Sequence, residues 1–198
     1  METIRGKTSH TLDLTDFNAR LANYNCIMLD LGTGDGKFAL SYAEAFPSRF
    51  VIGMDTCREN LREFSRTKLP NLLYIIASAQ SLPSELHGLV SHITINFPWG
   101  SLLESLLNGD ERLLHGLESV VSSSAALDVR LNGGALAEQG WSLEYGAKRI
   151  FENLTSAGWN LRKSEMLDSR VLRSFPSTWA KRLAFGRDPR AIYLSACL

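Results

Sequence analysis

Cysteine and histidine are scarce in this chain of 198 residues, and each shortage excludes a class of protein. Its three cysteines, Cys26, Cys57 and Cys197, are odd in number, widely separated and outside any C-x-x-C spacing, so neither a disulfide framework nor a zinc site is expected. The four histidines, His10, His87, His92 and His115, have no ligand spacing, and no metal is expected. Long apolar runs are missing too: nothing approaches the ~20 residues needed to span a bilayer. The start, Met1–Lys7, lacks the apolar core and cleavage pattern of a signal peptide, which predicts a cytoplasmic protein with no membrane association. There is no internal repeat or low-complexity tract. Length and a 44% hydrophobic composition suit a single α/β domain with a substantial core.

Net charge is also lacking, since 21 Lys and Arg balance 21 Asp and Glu, and that alone would argue against nucleic acid. Its distribution argues the other way. Residues 148–190 hold ten Lys or Arg against four Asp or Glu, which leaves the remainder acidic by the same margin. A basic face opposite an acidic remainder suits a protein that touches phosphate with one side, although such runs are often merely solvated surface.

What is present begins with Asp30-Leu-Gly-Thr-Gly-Asp-Gly36, set directly after the apolar stretch Cys26–Leu29. A strand that stops at three glycines and leads into the helix-like run Lys37–Phe46 is how a parallel α/β fold builds a nucleotide pocket. Gly32, Gly34 and Gly36 permit tight turns and close ligand approach, while Asp30 and Asp35 put carboxylates where a pyrophosphate would be repelled and an ammonium or sulfonium attracted. The spacing also departs from G-x-G-x-x-G, whose last position would be Lys37. A second strand, Phe50–Met54, ends in Asp55, where a carboxylate could take both ribose hydroxyls. The plain alternative is a tight turn with helix-capping acids.

Elsewhere the pattern predicts a hairpin from Thr3–Arg5 and Thr11–Leu14, then helices over Thr15–Asn23, Lys37–Phe46, Arg58–Thr67, Leu102–Leu107, Glu111–Val121, Ser142–Ala157 and Thr178–Ala184. Strands are expected at Phe50–Met54, Leu72–Ala77, Ser91–Asn96, Ala125–Leu131, Trp159–Met166 and Ala191–Ala196. Residues 131–141, with Gly133, Gly134 and Gly140, read as a mobile loop. Strand–helix alternation predicts a mostly parallel seven-stranded sheet of Rossmann-like type, with ligands at the strands' carboxyl ends and the hairpin (1–14) as an extension.

Two tryptophans suggest the second ligand. The fourth strand ends Asn96-Phe-Pro-Trp99, offering a carbonyl acceptor beside a flat stacking surface. Enzymes that methylate base amines use a similar Asn/Asp-Pro-Pro-aromatic element; here Phe97 replaces the first proline, which argues against chemistry at an exocyclic amine. Trp179 opens Trp-Ala-Lys-Arg-Leu-Ala-Phe-Gly-Arg187, with Lys181, Arg182, Arg187 and Arg190 close by in the 176–190 segment. Aromatic faces interleaved with cations hold a splayed-out base and its phosphates, at about 1–3 kcal/mol per stack. Either tryptophan could instead be a core residue, Trp99 capping the sheet and Trp179 on the inner face of an amphipathic helix.

Asp30–Gly36, Phe97–Glu104 and Trp179–Arg187, together with Glu59-Asn-Leu61 and Ala79-Gln-Ser-Leu-Pro83, resemble the Kam/Npm family of aminoglycoside-resistance 16S rRNA (adenine(1408)-N(1))-methyltransferases over nearly the whole chain. The resemblance implies a class I S-adenosyl-L-methionine-dependent methyltransferase that releases S-adenosyl-L-homocysteine, acting as a monomer on the 30S subunit. It implies a donor set of Asp30, Gly32, Thr33, Gly34, Asp35, Asp55, Ala79, Gln80 and Phe97, with Asp30 at the methionine end, Asp55 on the ribose and Ala79 and Gln80 on the adenine. Trp99 and Trp179 would sandwich a flipped adenine, with Pro98 and Ser177 alongside. Lys181, Arg182, Arg187 and Arg190 would face RNA, as would Arg62, Arg66, Lys148 and Arg149. This sequence departs from the family at Gln80, where a glutamate is expected, and at Asp188-Pro189, which interrupts the basic tail. An NAD-dependent oxidoreductase would need a G-x-G-x-x-G turn and a Tyr/Lys or His acid–base group, neither of which is evident. A non-enzymatic RNA-binding module would need no donor carboxylates.

Overall fold

The stretch after Cys26 becomes a strand, β3 (Ile27–Leu31), buried along its whole length, as a central strand covered on both faces must be. The computed structural model describes residues 1–186 and 188–198. Around β3 the chain runs β1 (Glu2–Arg5), β2 (Thr8–Thr11), α1 (Leu14–Leu21), then β3, α2 (Lys37–Ala45), β4 (Phe50–Asp55), α3 (Arg58–Leu61), β5 (Leu72–Ile76), β6 (Val90–Asn96), α4 (Gly100–Asn108), α5 (Glu111–Val120) and β7 (Val121–Asn132). It continues with α6 (Gly133–Glu138), α7 (Leu143–Ser156), β8 (Asn160–Leu167), α8 (Ser169–Ser174), α9 (Thr178–Ala184) and β9 (Ala191–Cys197).

The strands form one sheet in the order β2-β1-β5-β4-β3-β6-β7-β9-β8. From β5 to β7 all pairings are parallel, and β9 inserts antiparallel between β7 and β8. Chain order moves outward one way from β3 to β5 and the other way from β6 to β7, so a crevice opens where the direction reverses, at the carboxyl ends of β3 and β6.

The sheet therefore has nine strands among the described residues and is mixed, not the seven mostly parallel strands expected. The expected N-terminal hairpin is present and lengthens this same sheet: β1 pairs antiparallel with β5, Thr3 opposite Ile75. Its turn is the tight Gly6-Lys7 pair, Gly6 having φ +59°, so the second strand begins at Thr8 and Leu14 is left to open α1, capped by the Asp13 carboxylate.

Two other expectations change. Residues 131–141 contain helix α6, because the Asn132 side chain accepts from the Ala135 N–H and caps it, and Leu136 is fully buried. The helix expected over Arg58–Thr67 shrinks to one turn followed by a 3-10 turn at Phe64–Arg66. One apolar face of the sheet packs under α1, α4, α5 and α7; on the other, α2 and α3 cover Met28, Val51 and Tyr74. Past β6 on that second face lies the 168–186 segment, whose Leu172, Ala180 and Phe175 pack with Phe97.

Candidate active site

The Asp30–Gly36 turn is held open by its neighbours as much as by its glycines. Gly36 caps α2 at φ +84°, its carbonyl accepting from the Tyr74 hydroxyl at 2.7 Å, and a Cβ there would meet the tyrosine ring carbon Cζ at 2.9 Å. Glycine is required for both reasons. The Gly34 N–H donates 2.9 Å to Asp55 Oδ2, and Asp55 Oδ1 accepts from the Cys57 N–H at 2.8 Å, which ties the ends of β3 and β4 together. Burial pushes the Asp55 carboxyl above its ordinary range despite these backbone donors.

Asp30, only 1% exposed, accepts from three side chains: the Thr33 hydroxyl, the Thr94 hydroxyl at 2.8 Å and the Asn96 amide at 2.9 Å. Its pKa is raised, burial outweighing those donors. Between β3, β4 and β6 opens a cleft with a cavity volume of about 220 Å³, a little below the ~300–1,000 Å³ range of small-molecule sites. Among the described residues lining it, the only ionisable side chains are Asp30 and Asp55; no His, Lys, Arg, Cys or Tyr faces it. A cleft with only carboxylates repels a pyrophosphate and favours a cationic guest.

Of the donor set expected from sequence, Asp30, Gly32, Thr33, Gly34, Asp55, Ala79, Gln80 and Phe97 all line this cleft. Asp35 does not: its carboxylate accepts from the Lys37 N–H at 3.0 Å in the first turn of α2. The Gln80 amide is spent on α4, donating 2.8 Å to Ser105 Oγ while accepting from the Ser78 hydroxyl, which leaves its backbone for the cleft. Thr56, Asn60 and Leu102 also line it; no donor role was expected of them, although Asn60 stands in the Glu59-Asn-Leu61 motif and Leu102 in Phe97–Glu104.

At the mouth, Trp99 and Trp179 are exposed by 48% and 46%, so neither is a core residue. Their rings face each other with centroids 6.2 Å apart and planes 20° from parallel. The Trp179 indole also comes within 3.6 Å of where a Gly34 Cβ would stand, and so overhangs the glycine turn. Phe97, at the unusual φ of +53°, swings the chain from β6 into this mouth; its ring packs edge-on to Phe175 at 5.6 Å. Pro98 and Ser177 line the same opening, Ser177 at the start of α9 with no side-chain capping bond.

The basic candidates separate. Lys181 and Arg182 are exposed on α9, with the Arg182 guanidinium 5.3 Å from the Trp179 ring centroid. Arg190 is neutralised by Asp188, 2.9 Å away, and lies 3.6 Å from Glu144. Arg62 pairs with Glu59, and Arg66 packs on Gly6 of the hairpin turn. Lys148 pairs with Glu152, while Arg149 donates to the Leu107 carbonyl closing α4. Arg187 lies outside the described residues.

Comparison with known proteins gives this arrangement its family. A family model described as NpmA: 16S rRNA (adenine(1408)-N(1))-methyltransferase matches residues 2–198. A 16S rRNA (adenine(1408)-N(1))-methyltransferase from Streptoalloteichus hindustanus is 31% identical over 204 residues, covering 95% of this chain and 94% of its own. Among solved structures, a tryptophan-to-alanine variant of the enzyme of that name from Catenulisporales acidiphilia, crystallised with the cosubstrate S-adenosylmethionine, superposes with TM-score 0.86 at 25% identity, covering 100% of this chain and 96% of that one. The aminoglycoside resistance methyltransferase NpmB1 superposes at 0.80 with 29% identity, covering 100% and 99%. With a cleft of carboxylates under a pair of facing indoles, and a match spanning 2–198, this chain belongs to the 16S rRNA (adenine(1408)-N(1))-methyltransferase family.

Proposed function

We propose that this chain moves the methyl group of S-adenosylmethionine to N1 of adenosine 1408 in 16S rRNA, within the assembled 30S subunit, and so protects the ribosome from aminoglycosides. The observation that carries the reading is the pair of half-exposed indoles 6.2 Å apart above a cleft whose charged groups, among the described residues, are all negative. A base between two rings needs about 7 Å, two van der Waals separations, so the rings part by less than about 1 Å to admit adenine.

The donor supplies an electrophilic methyl on a sulfonium. Asp30 and Asp55 oppose their charge to its cationic amino-acid end and hold its ribose, and the Ala79–Gln80 backbone flanks its adenine. Adenine N1 has a free lone pair and attacks in line without first losing a proton, so no general base is needed. Positioning carries the rate. Flipping the base out of its helix costs a few kcal/mol, which two stacks of about 1–3 kcal/mol each offset. A ribosomal substrate puts this work in the cytoplasm, and we take the acting species to be a monomer.

Purified 30S subunits, the chain and labelled donor test this directly: label should enter 16S rRNA, and primer extension should stop at position 1408. Label without that stop would move the target elsewhere. Replacing Lys181 and Arg182 together by alanine should weaken subunit binding and lower the slope of log affinity against log salt by about one to two counter-ions; an unchanged slope would remove α9 from the phosphate contacts.

Donor binding should also depend on pH in a set direction. Both aspartates have raised pKa values in the folded chain. Fold stability from these groups is therefore greatest below the ordinary carboxylate range and is lost as pH rises through the raised values, whereas donor binding needs the ionised forms. Calorimetry from pH 8 downward should show donor affinity falling above the ordinary Asp range, and Asp55→Asn should flatten part of that fall.

A further inference from the structure

On the sheet face past β6, Arg130 sits in a place where a cation is costly. Its burial lowers its pKa, and among the described residues it makes no ion pair within 4 Å. The nearby carboxylate of Asp128 is occupied, by His92 at 3.0 Å and by the Tyr193 hydroxyl at 2.8 Å. Three neighbours meet the Arg130 side chain among the described residues. Its Nη1 donates to Asn96 Oδ1 at 3.0 Å, and its guanidinium carbon lies 4.9 Å from the Phe175 ring centroid and 4.7 Å from that of Tyr193. For holding two strands together an apolar side chain of similar size would serve as well or better.

Two of these contacts, those with Asn96 and Phe175, lead to different halves of the site. The Asn96 amide that accepts from Arg130 donates through Nδ2 to Asp30 at 2.9 Å. Turned over, it would set its oxygen against the Asp30 carboxylate and its NH₂ against the guanidinium, so the two neighbours together fix one orientation. Phe175 stacks on Phe38 of α2 at 5.1 Å and meets Phe97 edge-on, and two residues later come Ser177 and then Trp179. The Phe97 N–H itself donates to the Arg130 carbonyl at 2.7 Å.

We propose that Arg130 is a positioning residue that couples the two halves of the cleft: it aligns Asn96 on the donor carboxylate Asp30 and at the same time seats Phe175, and with it the segment bearing Ser177 and Trp179. The inference rests on the methyl-transfer reading. Its consequence is that occupation of the donor pocket tightens the acceptor segment, and by linkage an ordered acceptor segment raises donor affinity by the same factor. A planar guanidinium is needed because it can hydrogen-bond along its edge and lie against two rings at once, which a compact ammonium cannot do.

Hydrogen exchange of the full chain, with and without S-adenosylhomocysteine, reads this coupling. In the wild type, ligand should slow exchange at Phe175–Leu183 by about 10-fold or more. Arg130→Lys should still bind the ligand, within about 10-fold, but lose most of that ligand-dependent protection and lose kcat on 30S subunits by at least the same factor. If Arg130→Lys fails to fold, Phe175→Leu tests the same link from its other end, with the Arg130–Asn96 bond intact. Protection by ligand in either variant equal to wild type would overturn the proposal, as would a wild type that binds ligand without protecting the segment. A wild type that does not bind S-adenosylhomocysteine would instead overturn the donor reading on which the coupling stands.

Discussion

Trp179→Ala is expected to lower kcat/KM on 30S subunits by roughly 100-fold or more while donor affinity stays within a few-fold. The reason is local. Trp179 supplies one face of the 6.2 Å pair and holds Arg182 over its own ring at 5.3 Å, so alanine removes a base stack and releases a cation that the ring had positioned. At about 1–3 kcal/mol for the stack and about 0.5–2 for the cation, the sum spans about one to four decades. Charge adds a second effect. As the methyl moves, positive charge passes from sulfur onto the adenine, and indole faces attract a cationic ring more than a neutral one, so part of the stacking is gained only in the transition state. Trp179→Phe should then lower kcat more than it raises KM, the benzyl face being a weaker partner for charge. Single-turnover methylation with calorimetry of the donor checks both; a parallel collapse of donor affinity would mean that Trp179 acts chiefly through its contact over Gly34.

Asp30→Asn is the second large effect, and it falls on the other ligand. The fold should tolerate it: asparagine can keep its oxygen toward Thr94 and Asn96 and turn its NH₂ to the Thr33 hydroxyl, which is able to accept. What disappears is the negative charge. A charge-assisted hydrogen bond is worth about 1.5–3 kcal/mol, so donor affinity should drop about 10–100-fold with little change in melting temperature. Because the buried carboxylate is itself strained by desolvation, the melting temperature could even rise slightly, and this separates the charge effect from unfolding. Unchanged donor affinity would leave Asp30 as a purely internal acceptor for its three neighbours.

Much of the site was legible because its signals are local. The Asp30–Gly36 turn, the echo at Asp55 and the helix Thr178–Ala184 need only a few consecutive residues to declare themselves, and each lies where the pattern put it. The misread parts depend on distant partners. Three glycines made residues 131–141 look like a loop, yet Gly146 leaves room beside α7 for the Leu136 side chain, which would lie 2.5 Å from any Cβ there, and that burial makes a helix of the segment. The exposure of Trp99 could not be read either, since it is set by the positive φ of Phe97 and by the ring packing of Phe97 on Phe175. Arg130 was invisible for a similar reason: on an alternating strand it reads as an ordinary outward residue, and only the cross-strand register sets it beside Asn96 on one side and Tyr193 on the other.

The hairpin that joined the sheet covers an edge that would otherwise be open. Without β1 the apolar strand Leu72–Ile76 would present an open row of N–H and C=O groups, a template on which another chain could polymerise. With it, the outermost strand on that side is the polar Thr8-Ser-His-Thr11, and on the far side it is β8, studded with Arg162, Lys163 and Glu165. Both borders are thus poor sites for strand addition. Trimming the first eleven residues would therefore be felt first as clumping in concentrated solution, well away from the cleft where the chemistry is done.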